Sequence, residues 1–301
     1  MLEYSSSHLS RAVLQTVAYS DIFDYPLTAR EIHRYLTGAK ASLDEVVKVA
    51  EEAGVVTRTG DYFTLPGREE IVGIRMQREA RAWELMPRAI LYGRLLGRLP
   101  YVRMVSLTGS LAVMNVSGNY DFDYMLVTEP GRLWTARAFA VTFGRMMRPF
   151  GYTICVNLLL SATALAWHQH DLYSAREICQ MIPITGMDIY RRLRATNSWT
   201  ESVLPNSGLS TPSLVYIPEY KETNIIQDGF ETILDVTWFE QLAMKFQISH
   251  IARKWGMSDE TSFSADVCQS NFHNHRKRTQ EVFEHKISAL AARMPSGTYR
   301  L

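Results

Sequence analysis

One stretch, from Val105 to Thr128, constrains the fold more than any other part of the chain. It reads VSLTGSLAVMNVSGNYDFDYMLVT. An apolar run ends at Thr108 and is followed by Gly109 and Ser110, and a second apolar run surrounds two aspartates after ten intervening residues. Apolar runs separated by a glycine turn predict a strand, a short helix that begins at Ser110 and a second strand.

The second predicted strand contains two carboxylates, Asp121 and Asp123. Side chains at positions i and i+2 of a strand point to the same face of the sheet, so the two aspartates are expected to project together. Two carboxylates on one face repel each other unless a cation lies between them. Mg²⁺ is commonly held by one or two carboxylates together with substrate phosphates, and it suits this pattern. The simpler alternative is a pair of surface carboxylates, but an otherwise apolar strand is a costly place for them.

Gly109 and Ser110 form the turn between the two predicted strands. A glycine allows close approach to the backbone, and the unpaired N–H groups of a helix that begins at Ser110 favour an anion such as a triphosphate. Without the aspartates that follow, a turn with a helix cap would be the better interpretation. The spacing from Gly109 to Asp123 favours a binding site.

Gly-Ser, about ten residues, and Asp-x-Asp on the following strand together resemble the nucleotidyltransferase superfamily of the DNA polymerase beta type. The resemblance covers Tyr101 to Leu160 and is to small bacterial members that join a nucleotide to a small molecule, a protein or an RNA. It implies that Asp121 and Asp123 are catalytic ligands of one or two Mg²⁺ ions. It also implies that Gly109 and Ser110 bind the β- and γ-phosphates of an NTP substrate.

The chain departs from the family pattern on its third strand, predicted at 151–160. Family members usually place another Asp or Glu there, whereas this strand offers Asn157, a neutral amide that cannot act as a base. Three explanations remain open. Asn157 completes the catalytic site with weaker metal binding, a carboxylate from elsewhere replaces it, or the site binds nucleotide without turnover. Glu177 is the candidate substitute, with Asp171 behind it.

Arg137 lies on the helix predicted at 133–147, directly after the Asp-x-Asp strand. Its position is consistent with a phosphate contact, so we include it among the candidate nucleotide-binding residues. The alternative is an arginine on an ordinary helix face.

The predicted fold class is α+β with an α/β core: a small mixed sheet of the nucleotidyltransferase type between an N-terminal winged helix and a C-terminal helical region. Capping boxes at Thr28 and Ser42 and a hairpin at 55–65 indicate the winged helix. The expected divisions are 1–68 for the winged-helix-like domain, 69–100 for a linking helical segment, 101–165 for the catalytic core and 166–301 for the helical region, with a loop near 205–224.

Charge and composition limit the classes of partner. The 301 residues carry a net charge of +1, which provides no overall attraction to nucleic acid or to anionic membranes. The expected recognition helix is acidic, with Lys48 as its single basic residue, so DNA binding is disfavoured. No apolar run approaches the length of a membrane span, and three widely spaced cysteines indicate no disulfide framework. We therefore expect a cytoplasmic protein.

The sequence predicts an Mg²⁺-dependent enzyme that transfers an NMP group from an NTP to an unidentified acceptor and releases pyrophosphate. The acceptor class is open among small molecules, proteins and RNA. One alternative is a catalytically weak or inactive nucleotide-binding regulatory protein, motivated by Asn157. The other is a DNA-binding regulator that acts through residues 1–68.

Overall fold

The computed structural model of the protein describes residues 2–118, 121–208, 237–272 and 274–293. Helices and strands alternate along these residues. The described strands form a three-stranded antiparallel sheet and a six-stranded mixed sheet. The expected α+β class is confirmed.

Residues 2–65 form three helices and the smaller sheet around an apolar core of their own. Both predicted capping boxes are present: Thr28 accepts the backbone N–H of Glu31, and Ser42 accepts that of Glu45. The hairpin is present too, and one more strand pairs with it in the order β1-β3-β2. The elements are α1 (Leu2–Asp21), β1 (Leu27–Thr28), α2 (Ala29–Arg34), α3 (Leu43–Glu52), β2 (Thr57–Thr59) and β3 (Tyr62–Thr64).

A single long helix, α4 (Ile71–Gly97), joins this region to the larger sheet. Pro87 lies inside the helix and does not divide it. Arg75, on the second turn, is buried and pairs with Glu31 of α2, with Nη1 2.8 Å from Oε2 and Nη2 2.9 Å from Oε1. The N-terminal region is thus tied to α4 by a buried ion pair.

The larger sheet is built on the predicted β–α–β–α–β order. β4 and β5 are antiparallel, whereas β5 and β6 are parallel and are joined through helix α6. A parallel pair needs such a crossover, because a hairpin can join only antiparallel strands. The elements are β4 (Val102–Leu107), α5 (Gly109–Ala112), β5 (Phe122–Thr128), α6 (Leu133–Met147) and β6 (Ile154–Ser161).

The C-terminal part adds strands to this sheet as well as the expected helices. β7 pairs with β4 at one edge and β9 pairs with β6 at the other, so the order is β7-β4-β5-β6-β9-β8. These strands have three or four residues each, too few to show a periodic pattern in the sequence. The elements are α7 (Leu172–Gln180), β7 (Ile182–Thr185), α8 (Met187–Thr196), α9 (Thr200–Val203), α10 (Thr237–Trp255), β8 (Thr261–Phe263), β9 (Val267–Ser270) and α11 (His275–Arg293).

Most of the loop expected near 205–224 lies outside the described residues, which stop at Gly208 and resume at Thr237. Residues 232–236 of the helical region expected at 166–301 also lie outside the described residues. The final helix, α11, packs through Phe283 and Ile287 against the core of the N-terminal region.

The two faces of the larger sheet carry separate apolar cores. Phe122 and Tyr124 of β5 face one core together with residues of α4, α6 and α10. Met125 and Val127 face the other core, to which α7 and α8 contribute. Because side chains alternate along a strand, Asp123 lies on the same face as Met125, beneath α7.

Candidate functional site

The turn after β4 packs directly onto the second aspartate of the Asp-x-Asp pair. Gly109 has a φ of +66°, and a Cβ on this residue would lie 2.4 Å from Oδ2 of Asp123. The backbone N–H of Thr108 donates to the carbonyl oxygen of Asp123 at 2.9 Å. Ser110 follows as an exposed residue on the four-residue helix α5. Only glycine fits at position 109, so the turn and the carboxylate form one unit.

Asp123 is a largely buried carboxylate on β5. Burial raises its pKa to about 7; a hydrogen bond from Asn157 opposes this rise, and the charge of Asp121 adds to it. Among the described residues no Lys, Arg or His forms an ion pair with Asp123. Oδ2, the oxygen beside Gly109, makes no hydrogen bond to a described side chain. Asp123 therefore offers an oxygen ligand in a position that suits a cation.

Asp121 differs from the expectation in one respect. β5 begins at Phe122, so Asp121 directly precedes the strand instead of lying within it, and it is exposed. Its charge is nevertheless close enough to raise the pKa of Asp123. The two carboxylates remain neighbours at the edge of the cavity that both of them line.

Asn157 reaches Asp123 through a β-bulge. Tyr124 of β5 is opposite Val156, and Met125 is opposite Leu158, so Asn157 is the extra residue of the pair β5–β6. Its Nδ2 donates to Oδ1 of Asp123 at 2.7 Å. The amide oxygen accepts a hydrogen bond from the thiol of Cys155 at 2.7 Å. At the position where the resemblance predicts a carboxylate, this chain therefore has an amide that donates to Asp123.

Glu177 lines the same cavity from α7 and is close enough to Asp123 for the charge of Asp123 to act on it. Burial and the charge of Asp123 raise the pKa of Glu177 to about 7, against a hydrogen bond from Gln180. Nε2 of Gln180 donates to Oε1 at 2.6 Å, and Oε2 makes no hydrogen bond to a described side chain. Asp171, the second candidate, instead caps α7 and pairs with Arg276 at 2.9 Å.

Arg137 lines the cavity from α6 without touching the carboxylates. Its Nη1 donates to Oε1 of Gln247 at 2.7 Å, and its guanidinium lies 5.9 Å from the ring centroid of Trp134. Its charge acts on Cys155, the neighbour of Asp123 across the strand pair. The structure thus brings Gly109, Ser110, Asp121, Asp123 and Asn157 together, and Arg137 lines the same cavity without an ion pair to either aspartate among the described contacts.

The cavity has a volume of about 1890 Å³, well above the ~300–1,000 Å³ of a typical small-molecule pocket. Its walls include side chains of the N-terminal region, among them Tyr19 and Tyr35, and of α7, among them Arg176. Sequence reasoning did not select these three residues, because no local pattern distinguishes them from core residues. The space is large enough for more than one small molecule.

The donor set fits a hard cation such as Mg²⁺. Asp121 and Asp123 supply carboxylate oxygens beside a glycine turn, and Mg²⁺ is usually held by one or two carboxylates plus substrate phosphates. Across the described part of the chain no three His, Cys, Asp or Glu side chains are placed to hold an ion together. Glu177 therefore does not complete a trio with the two aspartates.

In comparisons with known proteins, no family model, no curated protein and no solved structure matched this chain. Among the described helices, none is long and apolar enough to cross a membrane.

Proposed function

We propose that the protein is an Mg²⁺-dependent nucleotidyltransferase that moves an NMP group from an NTP to the hydroxyl of an acceptor. One observation carries the proposal: the glycine turn after β4 contacts the partly buried carboxylate of Asp123, and Asp121 lines the same cavity. A carboxylate pair that has no cationic partner among the described residues, next to a glycine turn, suits a metal–triphosphate complex.

Asp121 and Asp123 would hold the metal. Asn157 orients Asp123 by donating to Oδ1, which leaves Oδ2 directed towards the Gly109 turn. When bound, Mg²⁺ supplies positive charge that stabilises the α-phosphate and the departing pyrophosphate. Gly109 lets the carboxylate of Asp123 lie against the turn, because a Cβ at this position would lie 2.4 Å from Oδ2. Gly109 and Ser110 would bind the β- and γ-phosphates of the NTP.

Glu177 is the residue we assign to receive the proton of the acceptor. It lines the same cavity as Asp123, whose charge acts on it, and its Oε2 has no hydrogen-bond partner among the described side chains. In the reaction the acceptor oxygen bonds to the α-phosphorus, the bond from that phosphorus to the bridging oxygen breaks, and pyrophosphate leaves. The acceptor proton passes to Glu177, which takes the base role that Asn157 cannot fill.

The test compares wild type with an Asp121→Ala/Asp123→Ala variant. We expect Mg²⁺-dependent NTP binding by calorimetry, and a loss of about 100-fold or more in pyrophosphate release in the variant, because both proposed metal ligands are removed. Asp44→Ala/Asp188→Ala, at two exposed positions away from the cavity, is the matched control. If the Asp121/Asp123 variant binds Mg·NTP as tightly as wild type does, the assignment is wrong.

A second candidate function is a nucleotide-binding regulatory protein without turnover. It is favoured by Asn157, which donates a hydrogen bond to Asp123 where the family has a third carboxylate. Such a protein would bind Mg·NTP yet transfer no label from NTP to any component of a cell extract. A labelled product that disappears in the Asp123→Ala variant would exclude it.

A further inference from the structure

Arg176 is a buried arginine in the cavity wall. Only 4% of the residue is exposed, and Nη2 donates to Oγ of Ser20 at 3.1 Å. The guanidinium carbon lies 4.9 Å from the ring centroid of Tyr19 and 4.4 Å from that of Tyr35. Among the described residues, no hydrogen-bond partner reaches the buried Nε and no acidic side chain forms an ion pair with Arg176.

The charge of Arg176 is poorly compensated by the described residues. Burial lowers its pKa, and the carboxylate that opposes this effect is Glu31. Glu31 is already engaged by both terminal nitrogens of Arg75. A buried guanidinium without its own counter-charge is costly, and an anionic ligand would remove that cost.

The position of Arg176 relates it to the proposed reaction site. Arg176 and Glu177 are consecutive on α7, and both line the cavity. Arg176 packs against Tyr19 of α1, whereas the charge of Asp123 of β5 acts on Glu177 and raises its pKa. A molecule that contacts Arg176 with one end can therefore reach Glu177, and the cavity is large enough to hold it beside a nucleotide.

We propose that Arg176 binds an anionic group, a phosphate or a carboxylate, of the acceptor. The planar guanidinium matches the geometry of both groups, and the tyrosine rings hold it in place. The acceptor is then a small anionic molecule with a hydroxyl group, and the N-terminal region forms part of its pocket. The identification of this molecule as the acceptor rests on the proposed transferase function. The anion site itself does not depend on that function.

The test uses inorganic phosphate and acetate as probes of the anion site. Calorimetry is run on wild type, Arg176→Gln and Arg191→Gln, with Arg191 as an exposed control on α8 outside the cavity. Each titration is repeated with saturating Mg²⁺ and a non-hydrolysable NTP, which occupies the nucleotide site. We expect wild type and Arg191→Gln to bind at least one probe and Arg176→Gln to lose at least tenfold in affinity. Tighter binding of inorganic phosphate would indicate that the site takes a phosphate group, and tighter binding of acetate would indicate a carboxylate.

Equal affinity in Arg176→Gln and wild type, or no binding of either probe by wild type, would overturn the proposal. A crystal structure of wild type grown with the probe that binds tests the site without any variant. The anion must contact the Arg176 guanidinium in that structure. If Mg·NTP does not bind but the probe does bind through Arg176, the anion site stands and the transferase function fails. If Mg·NTP binds but neither probe binds through Arg176, the anion site fails and the transferase function stands.

Discussion

At the residue scale, the backbone of Gly109 shows how one position supports the candidate site. Its φ of +66° is unfavourable for any residue with a Cβ, and the added carbon would lie 2.4 Å from the carboxylate of Asp123. The backbone conformation and the contact with Asp123 therefore each favour glycine. The contact depends on a residue fourteen positions further along the chain.

Gly109→Ala should weaken both stability and nucleotide binding. The positive φ costs about 1–2 kcal/mol for alanine, and the collision moves Asp123 away from its place beside the turn. Urea denaturation and Mg·NTP calorimetry measure the two effects. Gly131→Ala is the matched control, because its φ is +69° but nothing lies within 4 Å of the added carbon. Gly131→Ala should lose stability and keep binding; equal binding in both variants would contradict the role of Gly109.

At the element scale, α6 depends on a residue from a distant helix. The helix begins after Arg132 without a side-chain cap of its own. Glu240 of α10 accepts the backbone N–H groups of Trp134 and Thr135 at 2.6 and 2.9 Å, and also the hydroxyl of Thr135 at 2.6 Å. Since α6 connects β5 to β6, this cap helps to fix the strand that carries Asn157.

Glu240→Ala should destabilise the fold by about 1–3 kcal/mol, because it leaves buried N–H groups without acceptors. Urea denaturation measures the change. Glu240→Gln should lose less, since the amide oxygen still accepts a hydrogen bond. Glu281→Ala, at an exposed position on α11, should stay within about 0.5 kcal/mol of wild type. A loss in Glu240→Ala no larger than in this control would exclude the capping role.

At the scale of the whole molecule, the Arg75–Glu31 pair joins the N-terminal region to α4. Burial disfavours the charge of Glu31, but hydrogen bonds and the charge of Arg75, with hydrogen bonds from Thr28, outweigh it and lower the pKa. A carboxyl with a lowered pKa in the folded state stabilises the protein above its unfolded value of 4.5. That contribution falls as the pH drops through the folded pKa.

Glu31→Gln should therefore cost about 3 kcal/mol at pH 7, because Arg75 stays buried and among the described residues keeps only Glu79, with Nε 3.4 Å from Oε2, as a counter-charge. The difference from wild type should narrow as the pH falls below 4.5 and through the lowered pKa of folded Glu31, where wild type also loses this charge. Urea denaturation across this pH range measures both quantities. The double variant Glu31→Gln/Arg75→Met should recover part of the loss at pH 7. A cost that stays constant with pH would show that the ion pair contributes nothing.

Interactions between residues close in sequence made much of the fold predictable. The capping boxes at Thr28 and Ser42 act over three residues, and the bounds of α6 follow from a continuous helical pattern. β7, β8 and β9 could not be predicted, because strands of three or four residues are stabilised by their neighbours in the sheet. Asp121 was expected within β5, but this strand begins one residue later, at Phe122.

By itself, the sequence determined the Gly109 turn, the two aspartates and the amide at Asn157, since these depend on residue type and spacing along one short segment. Only the tertiary structure decided that Oδ2 of Asp123 lies against Gly109 and that a bulge in β6 directs Asn157 to Oδ1. It also decided that Glu177, rather than Asp171, shares the cavity with Asp123. The physical reason is that these contacts join segments far apart in the chain, and packing, not local pattern, sets where such segments meet.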